Sequence, residues 1–384
     1  MGALEMTTGR PGGTGRAGRP NAAYAGQVVY FPDPVRARAY PAGVRMDAEG
    51  IPVFSPYAAA AAEVADPPDG FGVDEMRLTD YVSANAALYA QGHRLWADLE
   101  SPVATPPGWT WHHSTAPASP GMRRLELVPV DVKVLLRHHA GLALSAADHA
   151  KRGTRPLQER RPAHFPLGPA TDDVRGPDGA GVEDPPGVPE ERLRAAEERL
   201  GYRLPAAYRT FLRAAGGRGP QGFALDVDTG VLVDQPFLTL RQEYAVDDLV
   251  YVNKCLRDHL SRDHLGIAFV QGGLLAIKVR GERTGSVGFL PYDDARDEGD
   301  PALDAAERCE RLLLPCGDDF DDFLLRLAGS PPELETVAEL MVEGGFARAV
   351  PVEPPAPAGA PAPAPGAMPA PAPGHGGAGA GSEA

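Results

Sequence analysis

Apolar residues along the chain follow strand or helix spacing in two stretches, and neither spacing persists between or beyond them. In the first stretch, an apolar run at residues 28–31, a "YPAG" turn and "IPVFSPY" read as short strands broken by turn residues. "RLTDYVSANAALYAQGHRLWADL" follows, with Thr79 as a helix cap and Tyr81, Val82, Leu88, Leu95 and Trp96 near helical spacing. "PPGWTWHH" is a Pro-Gly turn into an aromatic strand that ends on a histidine doublet, and Trp109 and Trp111 are expected to anchor the core. "MRRLELVPVD" places Leu125, Leu127 and Val128 on a second strand, and a helix can start behind Pro129 in "PVDVKVLLRHHAG". Strand, loop, strand and helix, with histidines on the first strand and on the helix, is the layout of a ββα-metal site.

The second stretch begins at "GVPEERLRAAEERLGYRLPAAYRTFLRAAGGRG". Pro189, the acids Glu190 and Glu191, apolar Leu193, Ala196 and Leu200, and the stop at Gly201 describe a capped amphipathic helix. Pro205 opens another that buries Tyr208, Phe211 and Leu212. Strands are expected at "FALDVD", "LGIAFV", "GLLAIKV" and "GSVGFLPY", a helix near "VDDLVYVNKCLRDHL", and a last helix in "DDFDDFLLRLAG" with Phe320, Phe323, Leu324 and Leu327 facing inward. The expected fold class is α+β in two domains.

Composition separates these stretches. Residues 1–23 and the Pro, Ala and Gly run after residue 350 bury too little side chain to offset ordering entropy, so both ends are expected to be disordered. Residues 151–187, rich in Pro, Gly and charge, read as a linker between domains at 24–150 and 188–328, and residues 329–384 as a short helix and a disordered tail. A net charge of −15 argues against a whole-protein nucleic-acid coat. Charge is nevertheless local: residues 121–161 hold nine Lys or Arg against four acids, and residues 290–322 hold twelve acids against three Arg. The basic run can face phosphate and the acidic run can mimic a polyanion; a solvated face is the competing reading of each. The three cysteines show no C-x-x-C spacing, and no apolar run approaches the ~20 residues that cross a bilayer. A cytoplasmic protein with no membrane contact is expected.

The segments "GVRMDAEGIPVFSPYA", "DYVSAN", "GWTWHH", "GMRRLELVPVDVK" and "HHAG", in that order, resemble the WHH group of the HNH and endonuclease VII superfamily, found as toxin domains of bacterial polymorphic toxins. The resemblance covers residues 24–145 and implies a ββα-metal, treble-clef-like nuclease module. Phosphodiester hydrolysis needs a base for water and a cation on the scissile phosphate, tasks that suit imidazole and a divalent metal. By that resemblance His113 is the general base, and His112 and His138 are ligands of Mg2+, Mn2+ or Zn2+. Arg123, Arg124 and Arg137 are expected to bind nucleic acid, DNA foremost. The family's other helix histidine corresponds here to Lys133, whose charge repels a cation. Three readings follow: weak metal binding by two histidines, Lys133 as a cationic stand-in on the phosphate, or no catalysis.

The second stretch resembles the SUKH superfamily (Smi/Knr-like domain) over residues 188–328. The residues that carry it are Glu197 to Leu200, Leu204, Pro205, Tyr208, Phe211, Leu212, Gly216 and Gly217, and then Gly285 to Asp294. Members are known mainly as bacterial immunity proteins that block nuclease toxins. Asp293, Asp294, Asp297 and Glu298 are the expected partner-binding acids, opposed to a basic nuclease groove, with a solvated loop as the alternative. The joint expectation is a metal-dependent endonuclease tethered to its own immunity-type module, which tethering holds at roughly millimolar effective concentration. The alternative is a non-enzymatic immunity or protein-binding protein with a degenerate nuclease domain.

Overall fold

The computed structural model describes residues 21–31, 34–66, 73–134, 136, 187–217, 224–226, 229, 231–240, 248–257, 259–292, 303–329 and 332–352. Arg137, His138, Asp293, Asp294, Asp297 and Glu298 lie outside them, as do the two ends and the expected linker up to residue 186.

The first module starts with strand β1 (Val28–Val29), helix α1 (Pro34–Ala39), β2 (Val44–Met46) and β3 (Pro52–Val53), which form a small antiparallel sheet in the order β1-β2-β3. β4 (Ala60–Ala65), α2 (Val73–Ala90), β5 (Trp109–His113), β6 (Met122–Pro129) and the short α3 (Val130–Lys133) follow. Thr79 is therefore an interior residue of α2, not its cap; the helix begins six residues earlier. Tyr81, Ala84, Asn85 and Leu88, at helical spacing, form its buried face against the sheet.

The second module comprises α4 (Glu190–Leu200), α5 (Ala206–Ala215), β7 (Ala224–Asp226), β8 (Val231–Val233), α6 (Leu249–Cys255), β9 (His264–Val270), β10 (Gly273–Lys278), β11 (Val287–Pro291), α7 (Ala305–Leu312), β12 (Leu314–Gly317), α8 (Phe320–Arg326) and β13 (Leu327–Gly329). Gly201 ends α4 at φ 81°, the left-handed turn for which glycine is suited. Asp304 and Glu307 close a reciprocal capping box on α7. The sheets run β12-β11-β10-β9 and β13-β7-β8, all antiparallel. Leu327, expected inside the last helix, instead opens β13 opposite Asp226. Helices and antiparallel sheets together make the fold α+β.

Two features depart from a simple tandem of domains. Helix α9 (Pro332–Glu343) and strand β14 (Ala347–Val350) leave the second module and return to the first, where β14 pairs with β4 in a sheet ordered β14-β4-β6-β5. The modules also share apolar packing: Val130 and Val134 sit in the second module's core cluster, and Leu232 joins Val82, Ala86, Val103 and Ala104 of the first. All described residues fall in one compact unit, Met1–Val352.

Candidate active site

Strand β5 carries the doublet, and strand geometry decides what becomes of it. Successive side chains on a strand point to opposite faces, so His112 and His113 diverge. His113 shares a face with Trp111, toward α2: its Nε2 is 2.8 Å from Asp80 Oδ2, and its ring lies 5.6 Å from that of Tyr81. His112 is directly across from Glu126 on the other face, and its ring meets Phe54 edge-on at 4.9 Å. Both imidazoles are buried.

Asp80 is the residue around which His113 is organised. Oδ2 meets the imidazole and Oδ1 accepts from Arg123 Nη2, with the carboxyl group fully buried. With Nε2–H donating to the carboxylate, Nδ1 carries the lone pair, as a base requires. Burial pushes the His113 pKa below its ordinary value, against the opposing pull of Asp80, so the ring is neutral at pH 7. A pocket of about 240 Å3 opens beside it, lined by His113, Ser114, Ala116, Ala118, Met122, Arg123 and Arg124. Three residues expected at the site, His113, Arg123 and Arg124, thus share one pocket, and the segment between β5 and β6 supplies its loop.

The arginines stand differently from the expectation of a phosphate-facing patch. Arg123 pairs with Asp80 and, at 3.4 Å, with Asp66, and donates to the Ala65 carbonyl at 3.2 Å. Arg124 lies 3.4 Å from Glu126 Oε1 and donates to the Pro351 carbonyl at 3.0 Å. Arg124 is buried and Arg123 half-buried, and both are engaged with acids and carbonyls of the chain. Lys133, also buried, donates from Nζ to the Trp111 carbonyl on β5. Glu126 accepts from Ser55 Oγ at 2.9 Å.

The donor set does not by itself assemble a cation site. His112 and His113 diverge, and among the described residues no group of three or more His, Cys, Asp or Glu side chains could hold a metal ion. His138 lies outside those residues.

The outer edge of β5 is covered by the second module. Gly108 N donates to Gln235 Oε1 at 2.7 Å, and Gln235 Nε2 donates to the Trp109 carbonyl at 3.2 Å. Gln271, in the turn between β9 and β10, accepts from Thr110 Oγ1 at 3.2 Å and from Trp111 N at 3.4 Å. Its amide nitrogen donates to Thr105 Oγ1 at 2.8 Å and to buried Asp234. Asn85 Nδ2 donates to Thr105 at 3.0 Å while its Oδ1 accepts from Trp111 Nε1 at 2.7 Å. A continuous buried polar network therefore runs from the second module through β5 into α2.

Asp80, Glu126, Gln235 and Gln271 were not singled out from the sequence as site residues. For Asp80 a signal existed: an acid beside Tyr81, in phase with the buried stripe of α2, needs a partner inside. The two glutamines, in turns without a motif, offered none.

These features define a chain that joins a histidine-lined pocket to a second α+β module packed on the strand that bears the histidine. Residues 101–148 match the family model of a nuclease of the HNH/ENDO VII superfamily with conserved WHH. Trp111, His112 and His113 lie within that match. Residues 187–326 match the SMI1 / KNR4 family (SUKH-1). The chain thus carries one segment similar to WHH nucleases and a second similar to the SUKH-1 family. No curated protein matches it.

Proposed function

We propose that the first module is an endonuclease of the ββα-metal type, acting on DNA with a divalent cation, and that the fused second module restrains it. The observation that carries the hydrolytic reading is His113: a neutral imidazole held by Asp80 in the lining of a pocket, on the strand matched to a nuclease family. Its Nδ1 takes the proton of the attacking water, and Asp80 then faces the imidazolium and stabilises it. Asp80 is already shared with Arg123, which keeps the carboxyl group fixed while the ring changes charge. A divalent cation would supply charge stabilisation at the phosphate, with His138 as a proposed ligand.

Restraint is supported by where the second module sits. Gln235 and Gln271 occupy the hydrogen-bonding edge of β5, and Val130 and Val134 are packed into the second module's core. The strand and the start of the following helix are the parts of such a site that must settle against a nucleic-acid backbone, and here they are held from one side. The acids Asp293, Asp294, Asp297 and Glu298 are proposed as a second contact of the same kind, toward a basic partner.

A second reading, a binding protein built on a decayed nuclease, is favoured by the inward engagement of Arg123 and Arg124 and by Lys133. The two are separated by incubating supercoiled plasmid with the full chain in Mg2+, Mn2+ or Zn2+, as wild type and with Gln235→Ala and Gln271→Ala combined. Nicking that rises in the double variant supports a restrained nuclease. Background nicking in both proteins with all three cations, and no heat on metal titration, supports the binding protein.

A further inference from the structure

The family matches end at residue 326, and residues 332–352 belong to neither. Those residues nevertheless complete the first module. β4 reads "AAAEVA": five small apolar positions and one acid, with Ala60, Ala61, Ala62 and Val64 all buried. A flat alanine strand without lysine or proline would be an unprotected edge, open to pairing with any other chain. β14 covers it, in the register Ala347↔Val64, Arg348↔Glu63, Ala349↔Ala62 and Val350↔Ala61, and the Ala65 N–H donates to the Phe346 carbonyl at 2.7 Å. α9 adds a second contact, since Leu334 and Ala338 are buried with Val82 and Ala86 of α2, and Ser101 Oγ donates to Glu335 at 2.7 Å.

The same segment reaches the pocket. Arg348 donates from Nη2 to buried Glu63 Oε2 at 2.7 Å and to Ser119 Oγ at 2.6 Å, and Ser119 N donates to Glu63 Oε1 at 3.1 Å. Ser119 belongs to the loop that supplies Ser114, Ala116 and Ala118 to the pocket wall. Arg124, which also lines the pocket, is held by the Pro351 carbonyl. Chain from beyond the second module therefore touches two segments that line the cavity beside His113.

We propose that residues 332–352 are a self-complementing arm: the edge of β4, the face of α2 and the 114–120 loop form a docking surface built for this segment, and the seated arm holds the pocket in shape. The proposal does not depend on whether the pocket hydrolyses anything. The second module is then an insertion between two parts of the first, and the arm is a ligand the chain supplies to itself by strand addition.

The test starts from the full chain with a specific protease site placed between Ser330 and Pro331. After cleavage the arm is expected to stay with the body on gel filtration. Arg348→Glu sets two carboxylates against each other across the strands, and should speed arm release more than about tenfold. Glu63→Arg combined with Arg348→Glu should restore retention. Because Glu63 is buried and its substitution can impair folding, amide exchange of residues 114–122 in the cleaved wild type gives a second reading, expected to match the uncleaved chain. An arm that separates at once from a body whose 114–122 amides exchange no faster would overturn the proposal.

Discussion

Asp80 is fully buried and holds two partners, and its loss takes the carboxylate from both, leaving Arg123 with only Asp66 and the Ala65 carbonyl. Asp80→Asn keeps the shape but removes the charge facing Arg123. Breaking a buried pair in this way costs about 3–5 kcal/mol, so the midpoint of denaturant unfolding should fall far more than for a surface substitution. An unchanged midpoint would mean that the Asp80–Arg123 contact does not form. Asp234 makes a different prediction. Burial raises its carboxyl pKa to about 7, against the lowering effect of bonds from Gln271, Thr105 and Gln235. A folded-state value above the unfolded one means that the folded chain binds the extra proton. Its contribution is full below about pH 4 and is lost as pH rises through 7, by an amount on the order of a few kcal/mol. Thermal melts of wild type should therefore lose stability between about pH 4 and pH 7 relative to Asp234→Asn. Parallel curves would contradict the buried, proton-binding state. The arginines show why residues of one type mislead when counted along a chain. Arg123 and Arg124 read as a basic patch because their acids, Asp66, Asp80 and Glu126, lie on other elements or on the same strand facing in.

At the level of elements, periodicity was legible where side chains are large and alternate, and illegible where they are small. β5, β6, β9, β10 and β11 and helices α4 and α5 stand close to where the pattern places them. β4 escaped because alanine marks neither period, although its burial on both faces is complete over most of its length. The divergence of His112 and His113 was legible in principle, since any two neighbours on one strand face apart; the resemblance to a metal site obscured it. The turn between β9 and β10 shows how tightly the modules meet. Gly272 has φ +80°, and a Cβ there would stand 2.7 Å from Arg77 Cδ of α2. Gly272→Ala combines backbone strain with a displaced arginine, and a loss of about 1–3 kcal/mol is expected, partly relieved in an Arg77→Ala background. No relief would show that α2 and the turn are not in contact.

On the scale of the whole molecule, the interface explains why the first module is not a free-standing piece. Its short α3 places Val130 and Val134 in the other module's core, its β4 edge is closed from beyond residue 332, and its β5 edge is held by Gln235 and Gln271. None of this was legible in sequence, because the contacts join residues far apart in the chain through side chains or backbone with no motif of their own. Among the described residues, no helix is long and apolar enough to cross a membrane. Loosening the β5 edge should appear first in local dynamics: with Gln235→Ala and Gln271→Ala combined, the Trp111 amide should exchange faster while strand β12, at the far edge of the other sheet, keeps its protection. Uniform protection would mean that the glutamines hold nothing.

The most direct measurement is plasmid nicking by that double variant with and without His113→Ala, in the divalent cation that supports it best. Nicking should fall to background when His113 is replaced, because the base and its Asp80 contact go together. Nicking that persists at the same rate would place any hydrolytic centre elsewhere and contradict the assignment of this pocket.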